Sequence, residues 1–299
     1  MMHMFYTDVT QVPFKLTDLP SMPLPRNVLM VDPSYFDVTY VINPHMEGHI
    51  GSIDTEKAHH QWETLKHHFE HIGLQVHVLH GQPGLPDMVF CANQSLPFIG
   101  LDQDREVLMS IMHAEERKPE VDFVEDFYRA QEYKIHHLDP TNIPDFEGMG
   151  DAIWHPGRRL LWGGYGYRSH PEAYKTISEL FNVPVLGLEL VDPAFYHLDT
   201  CLCMLNEHSA LYYPKAFTDQ GLELLHTFID DLIEVNEKEA VEGFACNALC
   251  PDGQHVILQS GLKETNASLT SRDFKVIETQ TDEFLKSGGS VFCMKMMFW

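Results

Sequence analysis

Short strand-like and helix-like segments alternate along almost the whole of this 299-residue chain. The strand-like segments are apolar runs or period-two alternations, such as RNVLMVDP, LQVHVLH and HVILQSG. The helix-like segments repeat apolar residues every three to four positions, as in PEAYKTISELF and in EKAHHQWETLKHHFEHIG, which ends at Gly73. Because each kind of segment must bury an apolar face against the other, the alternation predicts an α/β fold.

The other segments keep this rhythm. EVLMSIM, KIHHL, RRLLWGGYG and PVLGLEL are predicted strands, DMVFCANQSLPFIG a strand with a turn, and CLCMLNEHSALYYP a hairpin. VDFVEDFYRAQEY and the long segment DQGLELLHTFIDDLIEVN are each predicted as one helix, and a final strand is expected to carry Cys293. Residues 1–26 are rich in proline and predict an irregular N-terminal extension, and residues 27–299 predict a single catalytic domain. Periodicity alone leaves open a closed barrel, an open sheet or a propeller.

Charge and composition limit the partners. The chain has 20 basic and 44 acidic residues, a formal charge of −24 that repels phosphate backbones, so no nucleic-acid partner is expected. It contains no run of about 18 apolar residues and no secretory leader, so no membrane partner is expected and a cytoplasmic location is predicted. A homo-oligomer is left open.

Metal and cofactor chemistry is not indicated. Cys201 and Cys203, like Cys246 and Cys250, lack the spacing of structural zinc ligands, and the cysteines are expected to stay reduced. The histidines of KHHFEHIG belong to the exposed face of an amphipathic helix. We therefore expect no metal and no other cofactor.

Polar residues are concentrated where predicted strands end, and one cysteine follows a Gly-Gly pair. Each alone has an ordinary interpretation: a turn for the acids and for an Asn-Pro pair, a core histidine, a small core cysteine. The Cys246-Asn247 pair, which echoes Cys91-Ala92-Asn93, is interpreted as core and turn. Taken together, the set supplies a nucleophile, a base and groups that hold a cation. The candidates are Asn43, Asp87, Asn93, Glu147, Asp151, His197, Asp199 and Cys293.

These segments resemble the guanidine-modifying superfamily of arginine deiminases, dimethylarginine hydrolases and amidinotransferases. FEGMGD, YHLDT and SGGSVFCM are similar to its characteristic motifs, in order along about residues 27–296. The arginine dihydrolase group is most similar, through YFDVTYVINPHMEG, PDMVFCANQSL, WGGYGYRS and FYHLDTCLC. The resemblance implies a five-bladed, pseudo-symmetric α/β propeller of ββαβ-like modules with the site in its central channel.

The resemblance also implies roles. Cys293 is the nucleophile, His197 the acid and base, and Glu147 a catalytic carboxylate that holds the guanidinium together with Asp199. A bound cation should favour the thiolate and so lower the pKa of Cys293. Asp151 is placed with the substrate-binding residues.

Two asparagines, and the residues expected to bind the α-amino and α-carboxylate groups of the substrate, bear on which activity and which substrate are predicted. Asn93 stands where deiminases carry an aspartate, and with Asn43 its amide suits a neutral ureido group, which favours a second hydrolysis. Asp87 is expected to bind an α-amino group and Arg168 an α-carboxylate. A second arginine of the family aligns with Ile111, which leaves the identity of the guanidine open.

The function predicted is therefore hydrolysis of arginine through a covalent Cys293 thiouronium intermediate, twice, to ornithine, ammonia and carbon dioxide. The alternatives are an arginine deiminase or dimethylarginine dimethylaminohydrolase that stops at citrulline, and an amidinotransferase or hydrolase of another guanidine. From a different class, a silent module that senses a cationic amino acid is disfavoured by the intact set of Cys293, His197 and Glu147.

Overall fold

A computed structural model describes residues 4–299 of the chain. Their helices are α1 (Thr55–His71), α2 (Glu120–Ala130), α3 (Gly148–Asp151), α4 (Pro171–Phe181), α5 (Asp219–Phe228), α6 (Glu237–Val241), α7 (Lys263–Thr270) and α8 (Asp282–Leu285). Their strands are β1 (Phe5–Tyr6), β2 (Asn27–Val31), β3 (Gln75–Leu79), β4 (Ser95–Ile99), β5 (Arg105–Met109), β6 (Lys134–His136), β7 (Ala152–Trp154), β8 (Leu161–Tyr165), β9 (Val185–Glu189), β10 (Leu202–Met204), β11 (Ser209–Tyr212), β12 (Asp231–Glu234), β13 (His255–Gln259), β14 (Lys275–Thr279) and β15 (Met296–Phe298). The predicted α/β class is confirmed.

The strands of residues 4–299 form five separate small sheets that repeat one pattern. In four of them a short first strand pairs antiparallel with a second strand, and a helix then leads to a third strand that lies parallel to the second. In the fifth, β13 and β14 are parallel, and a single antiparallel bridge from Leu249 to Ile257 takes the place of the first strand. We call these five units modules 1 to 5, with β2, β5, β8, β11 and β13 as their second strands.

Module 1 is completed by the two ends of the chain. Its first strand is β15, which pairs antiparallel with β2 so that Met297 lies opposite Val28. The whole chain between Val31 and Met296 therefore forms a loop closed by main-chain hydrogen bonds. Phe298 occupies the centre of an aromatic cluster that module 1 shares with α2 of module 2, with ring centroids 5.2 Å from His77, 5.5 Å from Phe127 and 5.9 Å from Tyr128.

The helices cover the outside of the sheets with one apolar face each. In α1 the residues Trp62, Leu65 and Phe69 are buried, at the spacing of three and four that the sequence predicts. The Asp54 side chain caps this helix by accepting a hydrogen bond from the Lys57 N–H. Gly73 follows it with a φ of +86°, a conformation that glycine adopts without the steric cost a side chain would add.

The structure corrects several predicted elements. The segment DQGLELLHTFIDDLIEVN is not one helix: α5 ends at Phe228, and β12 follows and pairs with β11. Cys293 lies in the turn before β15 and not on a strand. In DMVFCANQSLPFIG only β4 is a strand, and it is preceded by a short 3-10 helix (Pro86–Val89). The N-terminal region is not wholly irregular, because β1 adds to module 3 beside β9; the division at residues 26 and 27 stays a prediction.

The start of each first strand defines a common place in the modules. Asn93 lies just before β4, Asp151 before β7, Asp199 before β10 and Cys293 before β15. Asn247 precedes the bridging residue at 249 in module 5. All five are buried. Each module therefore places one buried side chain one to three residues before its first strand or bridging residue.

Within residues 4–299, no helix has the length and apolar character needed to cross a membrane.

We predict that Phe298→Ala lowers the free energy of unfolding by about 3–5 kcal/mol, because it empties the centre of the aromatic cluster that module 1 shares with α2. Phe298 is 1% exposed, so little of the lost contact can be replaced by water. Urea denaturation followed by circular dichroism measures the change. Leu101→Ala, at a side chain that is 68% exposed, is the control and should shift the free energy by less than about 0.5 kcal/mol. Equal effects of the two substitutions would contradict this account of the closure.

Candidate active site

A cavity of about 280 Å³ lies among the starts of the first strands. Six of the nine predicted site residues line it: Asn43, Asp87, Asn93, Arg168, His197 and Cys293. The other three lie behind its wall; Glu147 is hydrogen-bonded to His197, and Asp199 to Cys293. The nine side chains come from loops that are far apart in sequence, and each is at most 7% exposed.

Glu147 and His197 are joined by a short hydrogen bond, with 2.5 Å between Glu147 Oε2 and His197 Nε2. Arg168 Nη1 lies 3.5 Å from the same carboxylate oxygen, and the His113 backbone N–H donates to the other oxygen at 2.9 Å. Burial alone would raise the pKa of Glu147, but the hydrogen bond from His197 and the charges of His197 and Arg168 outweigh it and hold the pKa well below its ordinary value. Glu147 is therefore ionised and fixes the His197 ring, whose other face borders the cavity.

Asp151 links the segments that carry Glu147 and His197. It accepts a hydrogen bond from the Ser169 hydroxyl at 2.7 Å and from the Leu198 N–H at 3.0 Å. Ser169 in turn accepts one from the Glu147 N–H at 3.0 Å. Burial raises the pKa of Asp151 to about 6. Its predicted contact with substrate stays a prediction, since in this structure its side chain ties together the segments that carry Glu147 and His197.

The Cys293 thiol lies between a carboxylate and an amide. It donates to Asp199 Oδ2 at 3.2 Å and accepts from Asn247 Nδ2 at 3.1 Å. Burial, then the negative charge of Asp199, raises the pKa of Cys293 well above its ordinary value, and burial raises the pKa of Asp199 to about 7. Asp199 Oδ1 is buried and has no hydrogen-bond partner among residues 4–299. The raised pKa of Cys293 favours the protonated thiol, and one oxygen of Asp199 is left unused.

Asn93 is held in one orientation with its amide N–H groups unused. Its Oδ1 accepts from Arg117 Nη1 at 3.0 Å, while Nδ2 has no partner in the described part of the chain. Gly150 makes room for this amide, because a Cβ added there would come within 2.1 Å of Asn93 Nδ2. Asn93 can therefore donate hydrogen bonds at this point of the cavity wall, whereas a carboxylate could only accept them.

Arg117 is a cavity residue that the sequence did not identify. Its guanidinium pairs with Glu120, at 2.9 Å between Nη2 and Oε2, and donates to the carbonyl oxygens of Asp87 and Phe90. Ile111, where the missing arginine was aligned, instead bridges backbone to backbone with Phe146. Arg117 lies six positions after Ile111, in a 3-10 turn before α2, and no sequence pattern assigned it to the site.

The Gly-Gly pair has a steric reason. Gly288 has a φ of +85°, and a Cβ there would lie 2.7 Å from the Tyr196 hydroxyl and 2.8 Å from Asn43 Oδ1. A Cβ on Gly289 would meet the Phe90 ring at 2.4 Å. The preceding Ser287 connects two predicted residues, since its carbonyl accepts from Asn43 Nδ2 and its hydroxyl donates to Asp87 Oδ1, both at 3.0 Å. The glycines thus let the Cys293 loop close over the cavity.

Lys295 is a second residue that the sequence did not single out. It is 0% exposed, and among residues 4–299 its Nζ has no hydrogen-bond partner. It lies over the Phe292 ring, 3.0 Å from the centroid. Burial lowers the pKa of Lys295 to about 8, against the opposing attraction of Asp199. A charged lysine so close to the nucleophile balances Asp199, since each is the other's leading charged neighbour.

Metal binding has no geometric basis in the described residues. Across positions 4–299, no group of three or more histidine, cysteine, aspartate or glutamate side chains is arranged to hold an ion. All six cysteines are free thiols in the structure.

Comparison with known proteins places the chain in a family of enzymes that act on substituted guanidines. The family model described as N,N dimethylarginine dimethylhydrolase, eukaryotic, matches residues 42–298. The chain belongs to this family, and the resemblance to the guanidine-modifying superfamily is confirmed.

Relatives in the family have more than one activity. The bifunctional arginine dihydrolase/ornithine cyclodeaminase AgrE of Nostoc is 37% identical over 90% of this chain, which spans only 37% of that protein. The N(G),N(G)-dimethylarginine dimethylaminohydrolase of Mycobacterium tuberculosis is 35% identical over 91% of this chain and 85% of its own length. The crystal structure of the N-terminal domain of ArgZ, from Synechocystis, covalently bound to a reaction intermediate, superposes with a TM-score of 0.84 at 35% identity, over 91% of this chain and 97% of that one.

We predict that Lys295→Met changes how stability depends on pH. The wild-type lysine has a pKa of about 8 when folded and an ordinary pKa when unfolded, so the unfolded chain binds an extra proton between these values. Wild-type stability should therefore rise with pH across that window, by up to about 1.4 kcal/mol per pH unit, relative to the methionine variant. Urea unfolding at pH 8, 9 and 10 measures the two slopes. The exposed Lys263→Met is the control and should follow the wild type; parallel curves for wild type and Lys295→Met would refute the prediction.

Proposed function

We propose that this protein is a cysteine hydrolase of the guanidinium group of arginine, of the arginine dihydrolase type. The observation that carries the proposal is the grouping, around one cavity, of the Cys293 thiol, the His197–Glu147 pair and the unused amide donors of Asn93. The thiol and histidine supply covalent and acid–base chemistry, and the amide distinguishes double from single hydrolysis.

Binding is proposed to begin with the cation. Glu147 is already engaged by His197 and Arg168, so Asp199, with one free oxygen, is the group that receives guanidinium N–H donors. A cation beside the Cys293 sulfur opposes the effect of Asp199 on the thiol and favours the thiolate. Substrate thereby helps to activate its own nucleophile.

The first hydrolysis then proceeds in two halves. The thiol proton passes to His197, sulfur bonds to the central guanidinium carbon, and the C–N bond to one amino group breaks as His197 delivers that proton to the departing ammonia. Water, deprotonated by His197, attacks the thiouronium carbon and the C–S bond breaks, which restores the thiol and leaves a ureido group. Glu147 keeps His197 oriented in both halves.

The second hydrolysis is proposed to follow because Asn93 can hold the neutral ureido product. Its Nδ2 donates to the ureido oxygen, and Asn43, which lines the same cavity, lies close to the same group. A second sulfur attack releases ammonia and leaves a thiocarbamate. Water converts the thiocarbamate to a carbamate, and loss of carbon dioxide yields ornithine.

The far end of arginine is proposed to lie toward Asp87, Arg117 and Arg168. Asp87 remains the candidate for the α-amino group and Arg168 for the α-carboxylate, although Arg168 Nη2 also donates to the Ile42 carbonyl oxygen at 2.6 Å. Arg117 supplies a second positive charge at the cavity wall. That charge supports an amino acid with a carboxylate over a decarboxylated guanidine.

The finer architecture is also a proposal. Five repeated modules, closure of module 1 by both ends of the chain, and one inward residue per module support a five-bladed α/β propeller around the cavity. We further propose a small guanidine compound as the partner. A homo-oligomer and a cytoplasmic location stay predictions.

A second candidate is hydrolysis that stops at citrulline, from arginine or dimethylarginine. The family model and the M. tuberculosis relative favour it. An amidinotransferase would instead release ornithine without ammonia and only when an amine acceptor is added. Incubation with arginine and quantification of ornithine, citrulline and ammonia separates the three.

We predict that Cys293→Ser lowers kcat on arginine by more than about a thousandfold while the protein stays folded, because an alcohol is far harder to ionise than this thiol. Ammonia release measures turnover, and circular dichroism verifies the fold. Cys250→Ser, at another buried thiol that does not line the cavity, should keep most of the activity. Substantial turnover by Cys293→Ser would exclude the covalent mechanism.

We predict that Asn93→Asp shifts the product from ornithine to citrulline. The aspartate still suits a cation, so the first hydrolysis proceeds, but an ionised carboxylate offers no donor to the ureido oxygen. The measurement is the ornithine-to-citrulline ratio by mass spectrometry. The exposed Asn142→Asp is the matched control and should keep the wild-type ratio. An unchanged ratio in Asn93→Asp would leave the second hydrolysis without its proposed cause.

A further inference from the structure

Asn247 lies two residues before the bridging residue of module 5, much as Asn93, Asp151, Asp199 and Cys293 lie one to three residues before the first strands of the other modules. It is 0% exposed, and its side chain is fully hydrogen-bonded within the centre of the protein. A surface turn would not require an asparagine there. Its position and its contacts therefore indicate that it belongs to the site.

The two ends of the Asn247 amide make different kinds of contact. Oδ1 accepts from the backbone N–H groups of Ser290 at 3.0 Å and Cys293 at 3.3 Å. Nδ2 donates to the Asp199 carbonyl oxygen at 2.9 Å and to Cys293 Sγ at 3.1 Å. One side chain thus fixes the nucleophile loop, links it to the Asp199 loop, and directs an N–H at the sulfur itself.

We propose that Asn247 is a positioning residue that holds the Cys293 sulfur in place and stabilises its ionised form through the Nδ2–H donor. This rests on the proposed function, in which Cys293 is the nucleophile. An N–H donor stabilises an anion more than a neutral thiol, so the contact strengthens when the proton leaves.

Other groups around the sulfur act in both directions. Asp199 accepts the thiol proton and opposes ionisation by its charge, and the Tyr196 hydroxyl is a further titratable neighbour. Lys295, behind the loop, brings a positive charge that favours the thiolate. His197 and Arg168 line the same cavity. Among these, Asn247 is a neutral donor in direct contact with the sulfur, so its effect does not depend on its own protonation state.

The test is the rate at which iodoacetamide alkylates Cys293, measured from pH 6 to 10 without substrate and read on the Cys293 peptide by mass spectrometry. Removal of the donor in Asn247→Ala should move the midpoint of the profile to higher pH and slow the reaction at pH 7.5 by about tenfold or more. Asn247→Asp keeps the Oδ1 acceptor, and so the two backbone contacts, but loses the donor to sulfur. It also adds a negative charge beside the sulfur, so it should shift the midpoint in the same direction and further than the alanine variant.

A purely structural role gives a different result. Asn236→Ala removes another asparagine, which caps α6 by accepting from the Glu239 N–H at 2.9 Å, and serves as the control for lost stability. If both Asn247 variants lower the melting temperature as Asn236→Ala does and keep the wild-type alkylation profile, the proposal is wrong. On arginine, the proposal expects kcat to fall in Asn247→Ala with KM changed less. A shifted alkylation profile in a protein that does not turn over arginine would leave this proposal standing and overturn the proposed function.

Discussion

The buried carboxylate of Glu147 is the interaction on which the centre of the molecule depends. It receives the His113 N–H from module 2, the Arg168 guanidinium from module 3 and the His197 ring from module 4. A carboxylate with no exposure is costly unless all its oxygens are paired, so the three contacts must form together. The pairing that orients the histidine is therefore also the pairing that holds three modules in register.

Some of the remaining buried charges are also paired with an opposite charge, whereas Lys295 and Asp199 are not paired directly. Arg117 is paired with Glu120, and Glu147 with Arg168 and His197. Lys295 and Asp199 attract one another without a direct hydrogen bond, and each keeps an unused polar atom. The unused Oδ1 of Asp199 belongs to the carboxylate whose other oxygen, Oδ2, accepts from the Cys293 thiol. The centre therefore contains one carboxylate oxygen to which a positively charged hydrogen-bond donor could bind.

Much of the fold was accessible to sequence reasoning, because strands and helices that bury one face carry a clear period. The failures share a cause in tertiary contacts. The segment after α5 has the acidic, apolar composition of a helix, yet Asp231–Glu234 pairs with β11 as a strand. The final strand was expected to carry Cys293, but the cysteine lies in a turn before that strand begins. Arg117 and Lys295 went unassigned because a single basic residue has no period, and only burial reveals that each faces a carboxylate.

Asn247 shows most clearly what a repeated fold adds to a site. Its local sequence, a small cysteine-containing turn, is indistinguishable from core, and the likeness to Cys91-Ala92-Asn93 carries no meaning without the sheets. Once the five modules are aligned on their first strands, the asparagine falls in the same short stretch before the strand or bridging residue as three site residues and Asp151. The backbone repeat thus brings one buried side chain per module close to the centre, and the identity of that side chain decides whether a thiol, a carboxylate or an amide lies there. Chemistry at such a centre can therefore change by substitution at equivalent positions while the closure through β15 and the pairing of Glu147 stay intact.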